Sequence, residues 1–186
     1  MSIGKAFLES AIQRFKDSKA LGDKTLAQLT EADILFMPNE WSNSIAIIIQ
    51  HLHGNMISRW TAFLTEDGEK SWRRRDEEFD VLPVTKVEIE QRWNEGWSVF
   101  LQALESLREE DLLRTITIRS QPLTVIDAIN RQMSHYSYHV GQIVYLGRWR
   151  KEEAWKSLSI PKGESLAYKK KVESSHQFQK KSRDQQ

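Results

Sequence analysis

The chain contains no cysteine, which excludes disulfides, thiolate metal ligands and a cysteine nucleophile, so any metal would have to be held by nitrogen and oxygen atoms. It also lacks a charge excess, with 27 basic against 26 acidic side chains. No global field therefore draws it toward nucleic acid or a membrane surface, and neither is expected as a partner. No apolar run approaches the roughly 20 residues of a bilayer span. Glu9, Arg14, Lys16 and Asp17 interrupt what would have to be the apolar part of a secretion signal. A cytoplasmic location is the expectation. Phosphate loops, dinucleotide fingerprints and nucleophile-elbow motifs are likewise missing.

What is present is helical periodicity. Residues 3–29 carry Phe7, Leu8, Ala11, Ile12 and Phe15 at intervals of three and four. Residues 30–39 read as a turn or one scrap of helix closed by Pro38, and Asn43 or Ser44 then caps a second long helix reaching about residue 64. Its apolar stripe is Ile45, Ile49, Leu52, Met56, Trp60 and Phe63. Residues 70–84 form a charged, irregular connection longer than bundle loops usually are. Its acidic residues Asp76, Glu77 and Glu78, with Asp67 and Glu69 just before it, read as a solvated face. Thr85 with Glu88 makes a capping box for a third helix to about residue 107, whose stripe is Val87, Trp93, Trp97, Phe100, Leu101 and Leu104.

The alternating, β-branched segment around Thr115, Ile116, Thr117 and Ile118, followed by Pro122 and Thr124, reads as a small hairpin. Thr124 with Asp127 caps a fourth long helix running to about residue 149. Four long helices imply an all-α bundle. Residues 169–186, with Lys169, Lys170 and Lys171 and a Gln- and Ser-rich end, offer little apolar surface to dock and are expected to be a disordered polar tail.

The fourth helix contains Ser134-His135-Tyr136-Ser137-Tyr138-His139. A spacing of four puts both imidazoles on one helix face, where two ring nitrogens can share one divalent ion. The alternative is a hydrogen-bonded, half-buried pair. The pair lies on the flank of the apolar stripe beside Ala128, Arg131, Gln132 and Gln142, at the edge of the core. A third ligand is available from the second helix in His51 or His53. Neighbours two apart diverge by about 200°, so both cannot face one ion. The stripe lies closer to His53, whereas His51 shares a small, polar side with Ser44, Asn55 and Ser58. Periodicity leaves the choice open. Arg59, Arg131 and Arg148 are candidate partners for an anionic substrate as well as for surface ion pairs.

Ser44-Ile45, the apolar run to His51-Leu52, and His135 and His139 followed by Val140-Gly141-Gln142 resemble the DinB-like superfamily of four-helix bundles. More closely, Asp67-Gly68-Glu69, Arg75-Asp76-Glu77-Glu78-Phe79, Ala128-Ile129-Asn130-Arg131-Gln132 and Leu158-Ser159-Ile160-Pro161-Lys162-Gly163 resemble a subfamily within it classed as a domain of unknown function. The likeness covers residues 3–166. It implies an all-α DinB-like four-helix bundle with a β-hairpin between the third and fourth long helices and a short C-terminal extension.

The resemblance also implies a nickel, zinc or iron ion on His51, His135 and His139, leaving His53 a packing role, and a homodimer. Many DinB-like proteins carry an acidic residue four positions after the first ligand, where this chain has Asn55. Superfamily members include thiol S-transferases using bacillithiol or mycothiol and a thiol-dependent maleylpyruvate isomerase. The implied function is a metal-dependent enzyme acting on a small molecule through activated water or a low-molecular-weight thiol, as a hydrolase or thiol transferase. The alternative is a stress-related protein that binds a metal or ligand without catalysis.

Overall fold

The computed structural model describes the backbone of residues 1–183 and the side chains of residues 1–174. The first five α-helices each begin where a hydroxyl satisfies backbone N–H groups that have no intrahelical partner. Helix α1 (Ile3–Leu26) is capped by Ser2, and the short α2 (Glu31–Leu35) by Thr30 with Asp33 in a reciprocal capping box. Ser44 caps α3 (Ile45–Trp60), and a Thr85 and Glu88 box opens α4 (Lys86–Glu105). Thr124 starts α5 (Val125–Lys151), while α6 (Ser165–Arg183) lies beyond. Among the described residues no helix is long and apolar enough to cross a membrane.

Two compact units are present, residues Met1–Ala154 and Trp155–Gln186. In the first, α1 packs on α5 and α4, and α3 packs on α4 and α5. The core between them is aromatic. Phe15 meets Phe100 edge-on with ring centroids 4.5 Å apart, and Phe100 meets Tyr136 at 5.1 Å. Trp60, Trp93 and Trp97 are all buried in this cluster. Helices α3 and α4 approach closely at Gly96, where an added Cβ would lie 3.1 Å from the Met56 sulfur and 3.3 Å from the His53 Cα.

The long helices differ from the sequence reading mainly at their ends. Helix α3 stops at Trp60 rather than near residue 64, because Thr61 turns extended and Ala62 takes a left-handed φ of 49°. In α4 the buried stripe runs Ile89, Trp93, Trp97, Phe100, Leu104, a regular succession of fours and a three, and Val87 is exposed instead.

Strands β1 (Thr115–Ile118) and β2 (Gln121–Thr124) pair antiparallel through a two-residue turn, Arg119 and Ser120. Both take left-handed φ values, 57° and 60°, the pattern of the mirror-image hairpin turn that normally selects Asn-Gly. Asp67 supports this turn: its carboxylate accepts from the backbone N–H of Arg119 at 2.8 Å and of Ser120 at 2.7 Å. Burial pushes the Asp67 carboxyl up, but these bonds and one from the Glu69 N–H outweigh it and hold it at about 2. The Gly68 N–H also donates to the Thr117 carbonyl at 2.8 Å. The loop after α3 and the hairpin thereby become one supporting layer.

The second unit contains α6, so the segment expected to be a disordered tail, 169–186, is helical as far as Arg183. Residues 184–186 lie outside the described residues. Near its start the Tyr168 N–H donates to the Glu164 carbonyl, and Lys169 pairs with Glu173 at 3.8 Å across one turn.

Truncating Ile143, fully buried on α5, should cost about 2–5 kcal/mol through the cavity it leaves. Chemical denaturation of Ile143→Ala beside the parent protein measures this, and a cost below about 1 kcal/mol would contradict the close packing described.

Candidate metal centre

Helices α3 and α5 pack against each other, and their histidines meet between them. One ligand-capable nitrogen from each of His51, His135 and His139 lies within 4.8 Å of the others. Nε2 of His51 is 3.3 Å from Nε2 of His135. Two metal–nitrogen bonds of about 2.0–2.1 Å at the tetrahedral angle would separate their nitrogens by about 3.3–3.4 Å. His51 and His139 are buried and His135 is half-buried. His53 is absent from the cluster; its Nε2 pairs with Glu95 of α4 at 2.9 Å.

Hydrogen bonds set the tautomers. Nδ1–H of His51 donates to Glu78 Oε2 at 2.9 Å, leaving the Nε2 lone pair facing His135. Nδ1–H of His139 donates to the Gln142 amide oxygen at 2.8 Å, which leaves its Nε2 lone pair free. Nε2 of His139 and Nδ1 of His135 are buried without a hydrogen-bond partner, an arrangement that costs free energy unless something else fills it.

Glu78 is held as firmly as the imidazole it orients. Arg73 donates to both of its oxygens, from Nε at 2.7 Å and from Nη2 at 2.9 Å. Burial pushes the Glu78 carboxyl up, but the His51 bond and the Arg73 bonds and charge prevail and hold it below its ordinary value. The Glu78 segment, a 3-10 turn over Asp76–Phe79, is tied to α3 through Gln50, whose side-chain amide donates to the carbonyls of Glu77 and Glu78. Phe79 stacks on the His51 ring with centroids 4.8 Å apart. Room for the carboxylate comes from Gly54, where an added Cβ would sit 2.2 Å from Glu78 Oε1.

A cavity of about 260 Å³ lies over the three imidazoles, walled also by Asn55, Gln132, Tyr138 and arginine side chains. Asn55 accepts from the Tyr136 hydroxyl at 3.1 Å, and that hydroxyl accepts from Trp60 Nε1. Burial pushes the Tyr136 hydroxyl up, so it stays a neutral donor. Burial also lowers His135, with His139, His51, Arg59 and Arg131 adding to the effect, to about 3. Burial lowers His139 to about 4 against the raising effect of Gln142. Both are therefore neutral at physiological pH, the form in which imidazole binds metal.

A family described as "Protein of unknown function (DUF1572)" matches residues 2–164. The chain belongs to this family. No curated protein matches it. A solved structure described as the conserved protein of locus from Enterococcus faecalis superposes with a TM-score of 0.57 at 20% identity, covering 80% of this chain and 96% of that one. That likeness establishes a shared fold.

Two side chains at this site of the DUF1572 chain, Glu78 and Arg73, were not read from its sequence as site residues. The connection between α3 and α4, taken as a solvated face, contributes the buried Glu78 and Arg73. Gly54, three residues after His51, was the available signal, since it leaves the neighbouring helix surface open to an inserted side chain. Gln142 contacts a histidine, whereas Arg148 lies away from this cavity.

Two outcomes follow from this geometry. Folded-state values near 3 and 4 for His135 and His139 lie below the unfolded value near 6.5, so the unfolded chain binds protons that the folded one refuses. Metal-free protein should lose thermal stability as pH falls from about 6.5 toward 4, and His135→Gln should flatten that profile. Separately, Glu78→Gln should weaken divalent-metal affinity about 10- to 100-fold. Gly54→Ala should weaken it in the same direction without lowering helix content, because alanine favours helix. Competition with a metal-sensitive chelator reads both, and unchanged affinity in both variants would remove Glu78 from the site.

Proposed function

We propose that this chain is a member of the DinB-like superfamily in which His51, His135 and His139 hold a divalent metal ion, nickel, zinc or iron, and that it is a metal-dependent enzyme acting on a small molecule. The reaction class is hydrolysis or transfer of a low-molecular-weight thiol. The observation that carries this reading is a cluster of three imidazoles from two helices, with buried nitrogens that have no protein partner beside a cavity. The nitrogen-only donor set suits ions of that type. Three neutral ligands leave an open position.

When bound, such an ion supplies Lewis acidity, lowering the pKa of water to about 7 or favouring the deprotonated form of a thiol. The chain's own residues account for the rest. Glu78 fixes the His51 tautomer and ring plane, and Gln142 does so for His139. The cavity wall contains no Ser, Thr, Cys, Asp or Glu, so the attacking group has to arrive as water or as a thiol substrate. Asn55 stands where many DinB-like proteins have a carboxylate, and its amide cannot act as a base there. Gln132, buried with an unpartnered side-chain oxygen, offers an acceptor to a substrate N–H or O–H. Burial raises the Tyr138 hydroxyl, so it remains a donor at the cavity wall. A cytoplasmic homodimer belongs to the same reading, supported by exposed Trp41, Tyr145 and Trp149 around an open groove.

Protein loaded with nickel, zinc or iron(II) and then desalted should retain about one equivalent of metal. His51→Ala, His135→Ala and His139→Ala should lose it, and His53→Ala should keep it, all with unchanged helical circular dichroism. Turnover of electrophile and thiol panels should disappear with chelator and with His51→Ala. Activity that survives chelation would overturn the enzyme mechanism, and stoichiometric metal without turnover would favour the non-catalytic binding protein.

A further inference from the structure

The wall of the histidine cavity carries five arginines, Arg59, Arg73, Arg75, Arg119 and Arg131, and no carboxylate. Their compensation is incomplete. Arg73 is matched by Glu78, and Arg75 meets the fully exposed Asp76 at 3.6 Å. A single oxygen of Glu69 is approached by Arg59 at 3.4 Å, by Arg73 at 3.5 Å and by Arg119 at 3.2 Å. Arg131, on the same face of α5 as His135, has no hydrogen bond or ion pair among the described residues.

Arg59 is the most telling of these. It is only 6% exposed, and its Nη1 is buried with no partner. Burial, together with the charges of Arg73, Arg131 and Arg119, pulls it down to about 10 despite the raising influence of Glu69. A buried guanidinium with an unmet donor beside others of its own sign is unfavourable in the empty protein. An oxyanion accepting from two such forks would relieve it, since charge-assisted bonds from guanidinium are short and directional. The hairpin presents one of the forks: the turn holding Arg119 is left-handed and is fastened by Asp67.

We propose that this cavity binds a small oxyanion, a carboxylate or phosphate, with Arg59, Arg119 and Arg131 receiving the anionic group while the rest of the substrate lies over His51, His135 and His139. This deepens the metal-enzyme reading by naming the substrate class, and rests on it only for where the reacting end lies. Size restricts the ligand further. A volume of about 260 Å³ has room for a small organic acid or phosphate. The cavity has an aromatic edge in Phe79 and Tyr138.

Calorimetric titration at constant ionic strength tests this, using malonate, inorganic phosphate and neutral malonamide against metal-free and metal-loaded protein. Malonate or phosphate should bind the metal-free protein saturably and malonamide should not. Preference for malonate assigns the carboxylate source, and preference for phosphate the phosphoryl one. Arg131→Gln, at an exposed position without protein partners, should weaken anion binding at least about fivefold with the ligand-free melting temperature unchanged, and Arg119→Gln, which also gives up the Glu69 ion pair, should weaken it likewise. Anion binding to a protein that takes up no metal would uphold this inference while the metal reading failed. Absence of saturable binding at millimolar anion, equal binding of malonamide, unchanged affinity in both arginine variants, or anion binding only through a loaded metal would each overturn it.

Discussion

The contact on which the site depends is the buried carboxylate of Glu78, clamped between the Arg73 guanidinium and the His51 imidazole. It closes the loop between α3 and α4 onto the bundle, and it selects which His51 nitrogen keeps a lone pair. Any one of the three groups alone would be expensive to bury at this depth. Together they satisfy one another, and the carboxylate stays charged because a bidentate guanidinium outweighs its desolvation. The bundle accommodates the group because α3 has glycine at position 54, where any side chain would occupy the carboxylate's space.

A second consequence of the same burial is electrostatic. His135 and His139 are kept neutral by desolvation, and at His135 also by the neighbouring imidazoles and the Arg59 and Arg131 charges, so protons compete poorly for them. Around them, three arginines approach one Glu69 oxygen, and Arg59 and Arg119 have no other carboxylate among the described residues. A pocket that repels protons and carries unmet cationic donors is complementary to anions even before any metal charge is added. The hairpin takes part in this, since its strained turn places Arg119 at the cavity wall. Backbone strain of that kind persists only where surrounding structure holds it, and here Asp67 does so with bonds to two consecutive backbone N–H groups.

The bundle itself was legible because helices report themselves twice, in apolar spacing and in caps. Thr85 with Glu88 and Thr124 with Asp127 mark starts that the structure reproduces. Their ends were less legible, since α3 stops at Trp60 ahead of a left-handed Ala62 that no glycine announces. The aromatic core of Phe15, Trp60, Trp97, Phe100 and Tyr136 followed from the same spacing. The turn between the strands did not, because Arg119 and Ser120 are not residues that choose left-handed backbone by themselves.

For the histidines, spacing alone determined that His135 and His139 share a face, a consequence of helical pitch that holds in any context. Whether His51 or His53 joins them depends on how α3 is rotated against its neighbours. That rotation follows from packing against both α4 and α5, with the close approach at Gly96 turning His53 toward Glu95 of α4 and His51 toward α5. Glu78, Arg73 and Arg119 belong to segments without periodicity, so only the folded chain could bring them to the site. Local pattern encodes which face a residue occupies. Which faces meet, and which loop side chain is buried between them, is decided by contacts between residues far apart in the chain.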